Sequence, residues 1–153
     1  MRSRSWSANT EPKSSLMRSV VLDAWAVLVF LQREGQAAMS VQRLLRRAAR
    51  GNVRLVMNVV NLGEVYYRLI QIVGEQDADA RLQPVRRLPI DVLPARESLV
   101  LGGAKIKPAH PISYADAFAV ATAKAERGRL VTGDPEIVAL PRSVVSVMRL
   151  QRS

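Results

Sequence analysis

The chain has 153 residues, 48% of them hydrophobic, which fits one domain with an ordinary core. It has no Cys and one His, His110, so disulfides, thiolate metal sites, a Cys nucleophile and a His-rich metal centre are excluded. Its 23 basic and 13 acidic residues give a net charge of +10, a balance that favours polyanions, nucleic acid above all, although solubility alone also accounts for a basic surface.

Residues 1–16, "MRSRSWSANTEPKSSL", are rich in Ser and Arg and lack the apolar stretch of a signal peptide. They read as a disordered extension, with a single domain over 17–153. Only three basic residues and one acidic residue lie in the extension, so the basic balance belongs to the domain. No apolar run reaches the roughly 18 residues of a membrane span. The longest candidate, "VVLDAWAVLVFL", is too short and carries Asp23. A cytoplasmic protein without membrane contact is expected.

In chain order, "SVVL" (19–22) reads as a buried strand ended by Asp23. "AWAVLVFLQREG" reads as a helix closed by Gly35. "QAAMSVQRLLRRAARGN" is an amphipathic helix, with Met39, Val41, Leu44, Leu45 and Ala48 at helical spacing and Arg43, Arg46, Arg47 and Arg50 around its other side. "VRLVM" (53–57) is a strand, and Asn58 or Asn61 caps the helix "LGEVYYRLIQIVG" that follows. "EQDADARLQPVRRL" is helical, with a kink or break expected at Pro84. "PIDVLP" holds a short strand, and "ARESLVLGGAKIK" a helix weakened by Gly102 and Gly103. "SYADAFAVATAKAERG" is a strong helix with Ser113 as its N-cap. "RLVT" is a strand, "PEIVAL" a short helix and "SVVSVMRL" the last strand. Short, Val/Leu-rich, unalternating strands between helices indicate a parallel sheet covered on both faces.

Four acids fall at corners of this pattern. Asp23 follows the first strand, and Asp134, in "VTGDPE", follows "RLVT". Asp116 lies in the first turn of one helix, and Glu64 one turn into another. Each has a purely structural reading. Asp23 and Asp134 suit N-caps, the latter before a proline at the first helical position. Ser113 and Asp116 match a capping box, and Glu64 can pair with Arg68 one turn on. Taken together they suggest more. The carboxyl ends of parallel strands share one edge, where ligands bind, so acids far apart in sequence converge there. No Lys or Arg adjoins Asp23, Asp116 or Asp134 in the sequence. Clustered carboxylates without basic neighbours repel one another and favour a cation, and an oxygen-only ligand set favours Mg²⁺ or Mn²⁺. Such an ion, in a basic protein, suits hydrolysis of phosphodiesters. A histidine base would have to be His110, which reads as a loop residue between Ala109 and Pro111.

The blocks "VVLDAWAVLVFL", "NVVNLGEVYYRL", "SYADAFAVATA" and "RLVTGDPE", in this order over about residues 17–150, resemble the PIN-domain family and within it the VapC-type toxins of bacterial toxin–antitoxin pairs. The resemblance implies a three-layer α/β/α fold with a parallel sheet of about five strands. It implies a Mg²⁺- or Mn²⁺-dependent endoribonuclease, a homodimer, and a VapB-like antitoxin that blocks the site. Asp23, Glu64, Asp116 and Asp134 match the family's acidic positions. Thr132 matches a small hydroxyl residue that often precedes the last acid, where it would orient a ligand or water. Arg43, Arg46, Arg47 and Arg50 are candidates for holding the RNA backbone, or else form a solvated face. Two rivals remain. One is a non-catalytic RNA-binding module whose acids are helix caps. The other is a receiver-like phosphorylation domain, which lacks its phosphate-pairing Lys here, since Gly133 and Asp134 follow "RLVT".

Overall fold

The structure is a computed structural model and describes residues 17–151. The disorder expected for residues 1–16 lies outside the described residues. Five short strands form one all-parallel sheet in the order β3-β2-β1-β4-β5. They are β1 (Ser19–Leu22), β2 (Arg54–Asn58), β3 (Ile90–Leu93), β4 (Arg129–Thr132) and β5 (Val147–Arg149). Between them run α1 (Ala24–Leu31), α2 (Gly35–Ala49), α3 (Val59–Val73), α4 (Glu75–Arg86), α5 (Glu97–Ile106), α6 (Tyr114–Ala125) and α7 (Pro135–Val138), with a short 3₁₀ turn at Lys107–Ala109.

The strand alternation builds two cores. Val20, Leu22, Leu55, Met57 and Val131 face one side, where they pack with buried residues of α1 to α4 such as Val27, Val41, Val65 and Leu69. Val21, Val56 and Leu130 face the other, against Ile106, Ile137 and the apolar residues of α6. The three-layer α/β/α expectation therefore holds. Both faces are covered, which is why the strands read as continuous apolar runs.

Several boundaries differ from the sequence reading. Gly35 does not close the first helix. That helix ends at Leu31, and the chain reverses through Arg33 (φ 56°) and Gly35 (φ 52°), the latter opening α2. Asn58 rather than Asn61 caps α3, which starts three residues early, because the Asn58 Oδ1 accepts from the Val60 amide at 2.8 Å. Pro84 does not split its helix. It sits in the last turn of α4, so the carbonyl it leaves unbonded belongs to the exposed Ala80. Gly102 and Gly103 do not break α5; they allow it to lie against α6, where a methyl on Gly103 would sit 3.5 Å from the Ala117 carbonyl oxygen. The last strand shrinks to Val147–Arg149, because the Val144 amide turns back onto the Pro141 carbonyl at 2.9 Å.

Candidate metal centre

All four strands β1 to β4 run into the same edge, and that edge collects the acids. Asp23 is 2% exposed. Its Oδ1 accepts from the Ala26 amide at 2.9 Å and so caps α1, while its Oδ2 accepts from the Thr132 hydroxyl. The buried Thr132 Oγ1 also accepts from the Asp134 amide at 3.0 Å. One hydroxyl therefore links the acids that follow β1 and β4. Asp134 caps α7, its Oδ1 accepting from the Glu136 amide at 2.9 Å. Asp116 is 8% exposed in the first turn of α6, where its amide donates to Ser113 Oγ at 3.1 Å. Glu64 is half-buried on α3.

Asp23, Glu64, Asp116 and Asp134 line one cleft of about 470 Å³, together with Glu136, Trp25, Tyr67 and Arg68. Carboxylate oxygens of Asp116, Asp134 and Glu136 lie within 4.8 Å of one another. Glu136 was not among the sequence candidates, although its place two residues after Asp134, in the first turn of a helix at the same edge, is a usable signal. Gly133 shapes the rim. A Cβ there would lie 2.2 Å from Trp25 Cη2, so only glycine lets the indole close over this corner.

The electrostatics follow from burial and repulsion. Burial pushes the Asp23 carboxyl up to about 7, with Asp116 and Asp134 adding to the rise; the hydrogen bonds from Thr132 and Ala26 oppose it. Glu64 is raised by burial and then by Asp116 and Asp134, and lowered by Arg68. Asp116 is raised by burial and then by Asp134 and Glu136, and lowered by hydrogen bonds from Ser113. The ion pairs among the described residues, Arg54–Asp91 and Arg54–Glu126, both at 2.9 Å, lie at the opposite end of the sheet, where β2 begins. The donor set is thus all carboxylate, partly desolvated and short of cations, and it fits a hard divalent ion.

Two buried polar atoms beside this edge have no partner among the described residues: Asn58 Nδ2 and Asn61 Oδ1. The other end of the Asn61 amide is used, with Nδ2 donating to the Ala115 carbonyl at 3.0 Å. His110 does not line the acidic cleft; it lines a separate, mostly apolar hollow with Lys105 and Lys124. Arg43, Arg46 and Arg47 on α2 and Arg50 at its C-cap are exposed and do not line the acidic cleft. The last three lie toward the end of α2 that leads into β2, near the sheet's amino edge.

The PIN domain family model matches residues 20–142, and the chain belongs to that family. Known structures agree on the fold. VapBC2 from Rickettsia felis, bound to a DNA fragment from its promoter, matches with TM-score 0.67 at 12% identity, over 87% of this chain and 99% of that one. DNA-bound VapBC from Salmonella typhimurium matches with TM-score 0.67 at 13% identity, over 88% and 100%. VapC20 from Mycobacterium tuberculosis, described as a sarcin-ricin loop cleaving toxin, matches with TM-score 0.62 at 17% identity, over 78% and 93%. No curated protein matches by sequence.

Proposed function

We propose that the chain is a VapC-type toxin, a Mg²⁺- or Mn²⁺-dependent endoribonuclease that hydrolyses RNA phosphodiester bonds. The observation that carries this reading is the cleft of five carboxylates, with the proton affinity of Asp23, Glu64 and Asp116 raised and no ion-pair partner among the described residues. Asp23, Glu64 and Asp116 would hold the principal ion, directly or through water, and Asp134 a second ion or the attacking water. A divalent ion held there would lower the pKa of water and offset charge developing on the phosphate. Glu136 supplements Asp116 and Asp134. Thr132 keeps the Asp23 carboxylate turned toward the cleft by donating to its Oδ2. Arg68, at the cleft itself, would meet the nearest phosphate. Arg43, Arg46, Arg47 and Arg50 would hold the backbone of a longer RNA along α2.

The structural relatives named as VapBC complexes favour a VapB-like antitoxin as partner. The exposed Tyr67 and Ile72, beside the carboxylates, suit an apolar helical face of that partner, with a basic side chain entering among the acids. A homodimer in the cytoplasm completes the reading.

The capping alternative has its own support, since Asp23 and Asp134 do cap α1 and α7. Capping uses Oδ1 of each; Oδ2 of Asp23 accepts one hydrogen bond, from Thr132, and keeps a lone pair, so the two roles are compatible. The discriminating experiment measures RNA cleavage in Mg²⁺, Mn²⁺ and EDTA, for the wild type and Asp116→Asn. Cleavage lost in EDTA and reduced by orders of magnitude in a folded Asp116→Asn variant is expected. Full activity in EDTA refutes the metal centre, and an unaffected variant returns Asp116 to a capping role.

A further inference from the structure

Glu64 and Asp116 come from distant parts of the chain, on α3 and α6, and line the same cleft; Asp116 raises the proton affinity of Glu64, and Asp134 raises that of both. Like charges on two adjacent helices push those helices apart. One buried contact opposes the push. Asn61 lies one helical turn before Glu64 on α3, and its Nδ2 donates across to the carbonyl of Ala115, the residue immediately before Asp116. The orientation is forced, because only the NH₂ end of an amide can face a carbonyl oxygen.

Asn61 is 1% exposed, and its Oδ1 is left buried with no partner among the described residues. An unpaired buried acceptor is destabilising, and an apolar side chain of similar size would bury the same space without that penalty. Stability therefore does not explain an amide here. Position does. The bond joins the turn of α3 that carries Glu64 to the turn of α6 that carries Asp116. We propose that Asn61 is a positioning residue that fixes the spacing of Glu64 and Asp116 by clamping α3 to the first turn of α6. The clamp holds the two carboxylates in register for a divalent ion despite their repulsion. It rests on the metal-centre reading above and goes beyond it, since Asn61 touches neither ion nor substrate.

The test uses the full chain and Mn²⁺ itself as probe, with affinity from titration calorimetry and thermal melting measured in EDTA. Asn61→Leu keeps the branched shape, at a somewhat larger volume, and removes the donor. Asn61→Ala makes no steric demand and serves if the leucine does not pack. Leu44→Ala, in the core under α2, supplies a variant destabilised away from the clamp. Groups that orient metal ligands typically affect affinity by about 10–100-fold. A fall of about tenfold or more in Mn²⁺ affinity is expected for a folded Asn61 variant, with cleavage recovering at high Mn²⁺. Leu44→Ala should melt earlier with its Mn²⁺ affinity unchanged. Unchanged affinity in the folded Asn61 variants overturns the clamp while leaving the metal centre standing. An equal loss in Leu44→Ala overturns it too, since the effect would then be one of stability. A wild type that binds no Mn²⁺ overturns the metal centre and the clamp together.

Discussion

Replacing Asp23 by Asn should stabilise the metal-free protein at alkaline pH, the opposite of what loss of a helix cap normally does. The native Asp23 carboxyl is pushed up to about 7, against 3.8 as its ordinary value. Between those values the native state holds a proton that the unfolded chain has released, so stability falls as pH rises through this window. The advantage of the neutral form is fully present below about 3.8 and gone above about 7. At roughly 1.4 kcal/mol per unit, the buried anion costs the metal-free fold about 4 kcal/mol at pH 8. Asn removes the charge and keeps the shape. With Oδ1 kept on the Ala26 amide its NH₂ faces Thr132, whose hydroxyl must turn from donor to acceptor, a rearrangement that costs about 1–2 kcal/mol. The net expectation is a gain of about 2–3 kcal/mol near pH 8 and little change near pH 5, read from urea unfolding in EDTA. Saturating Mn²⁺, at about 100 times its dissociation constant, should add about 2.7 kcal/mol to the wild type and erase the difference. A variant destabilised equally at both pH values would refute the argument, because it would show that the wild-type carboxylate is not penalised by its burial.

Gly133→Ala should force Trp25 out of its seat, at a cost of about 1–3 kcal/mol in unfolding free energy, with a shift in indole emission read in a Trp6→Phe background. An unchanged spectrum and midpoint would mean that the indole has room after all. The Arg46→Ala/Arg47→Ala double variant should bind all RNAs more weakly and flatten the slope of log affinity against log salt by about 1.4, while cleavage of bound RNA hardly changes. An unchanged slope assigns these arginines to a solvated face. A chain beginning at Met17 should fold, bind Mn²⁺ and cleave RNA as the full chain does; an unfolded or inactive truncation would place residues 1–16 within the working domain.

The sequence made most of the fold legible because burial on both faces leaves so little freedom to the strands. "SVVL" and "RLVT" coincide with β1 and β4, residue for residue. Errors gathered where local rules met tertiary ones. Gly35 has the composition of a helix end and the position of a helix start, since two left-handed residues close together reverse the chain within four positions. Pro84 carries a strong local signal that has no consequence in a last turn. In the site, Asp23 and Asp134 were legible because each stands between a strand and a helix, and Asp116 and Glu64 because each is an acid near the start of a largely apolar helix. Glu136 and Asn61 were not singled out. Glu136 follows Asp134 too closely to look independent, and the partner of Asn61 is a backbone carbonyl 54 positions away, which no side-chain pattern can announce.

The two ends of the sheet treat their charges differently, and the contrast bears on function. At the amino edge Arg54 bonds both Asp91 and Glu126, so acids there are neutralised across three elements by a single guanidinium. At the carboxyl edge five carboxylates line one cleft whose only Lys or Arg among its lining residues is Arg68. A chain with 23 basic residues does not lack cations for that edge. It spends its side chains there on burying Asp23 and Asp116, on orienting the Asp23 carboxylate with Thr132, and on holding the backbone at Asp116 and Ala115 with Ser113 and Asn61, contacts that position the acids without neutralising them. Ion pairing would relieve the repulsion and close the site to any external cation. Orientation without neutralisation leaves the repulsion in place, so the metal-free fold should be measurably less stable than the loaded one, and most so above pH 7, where Asp23 is charged.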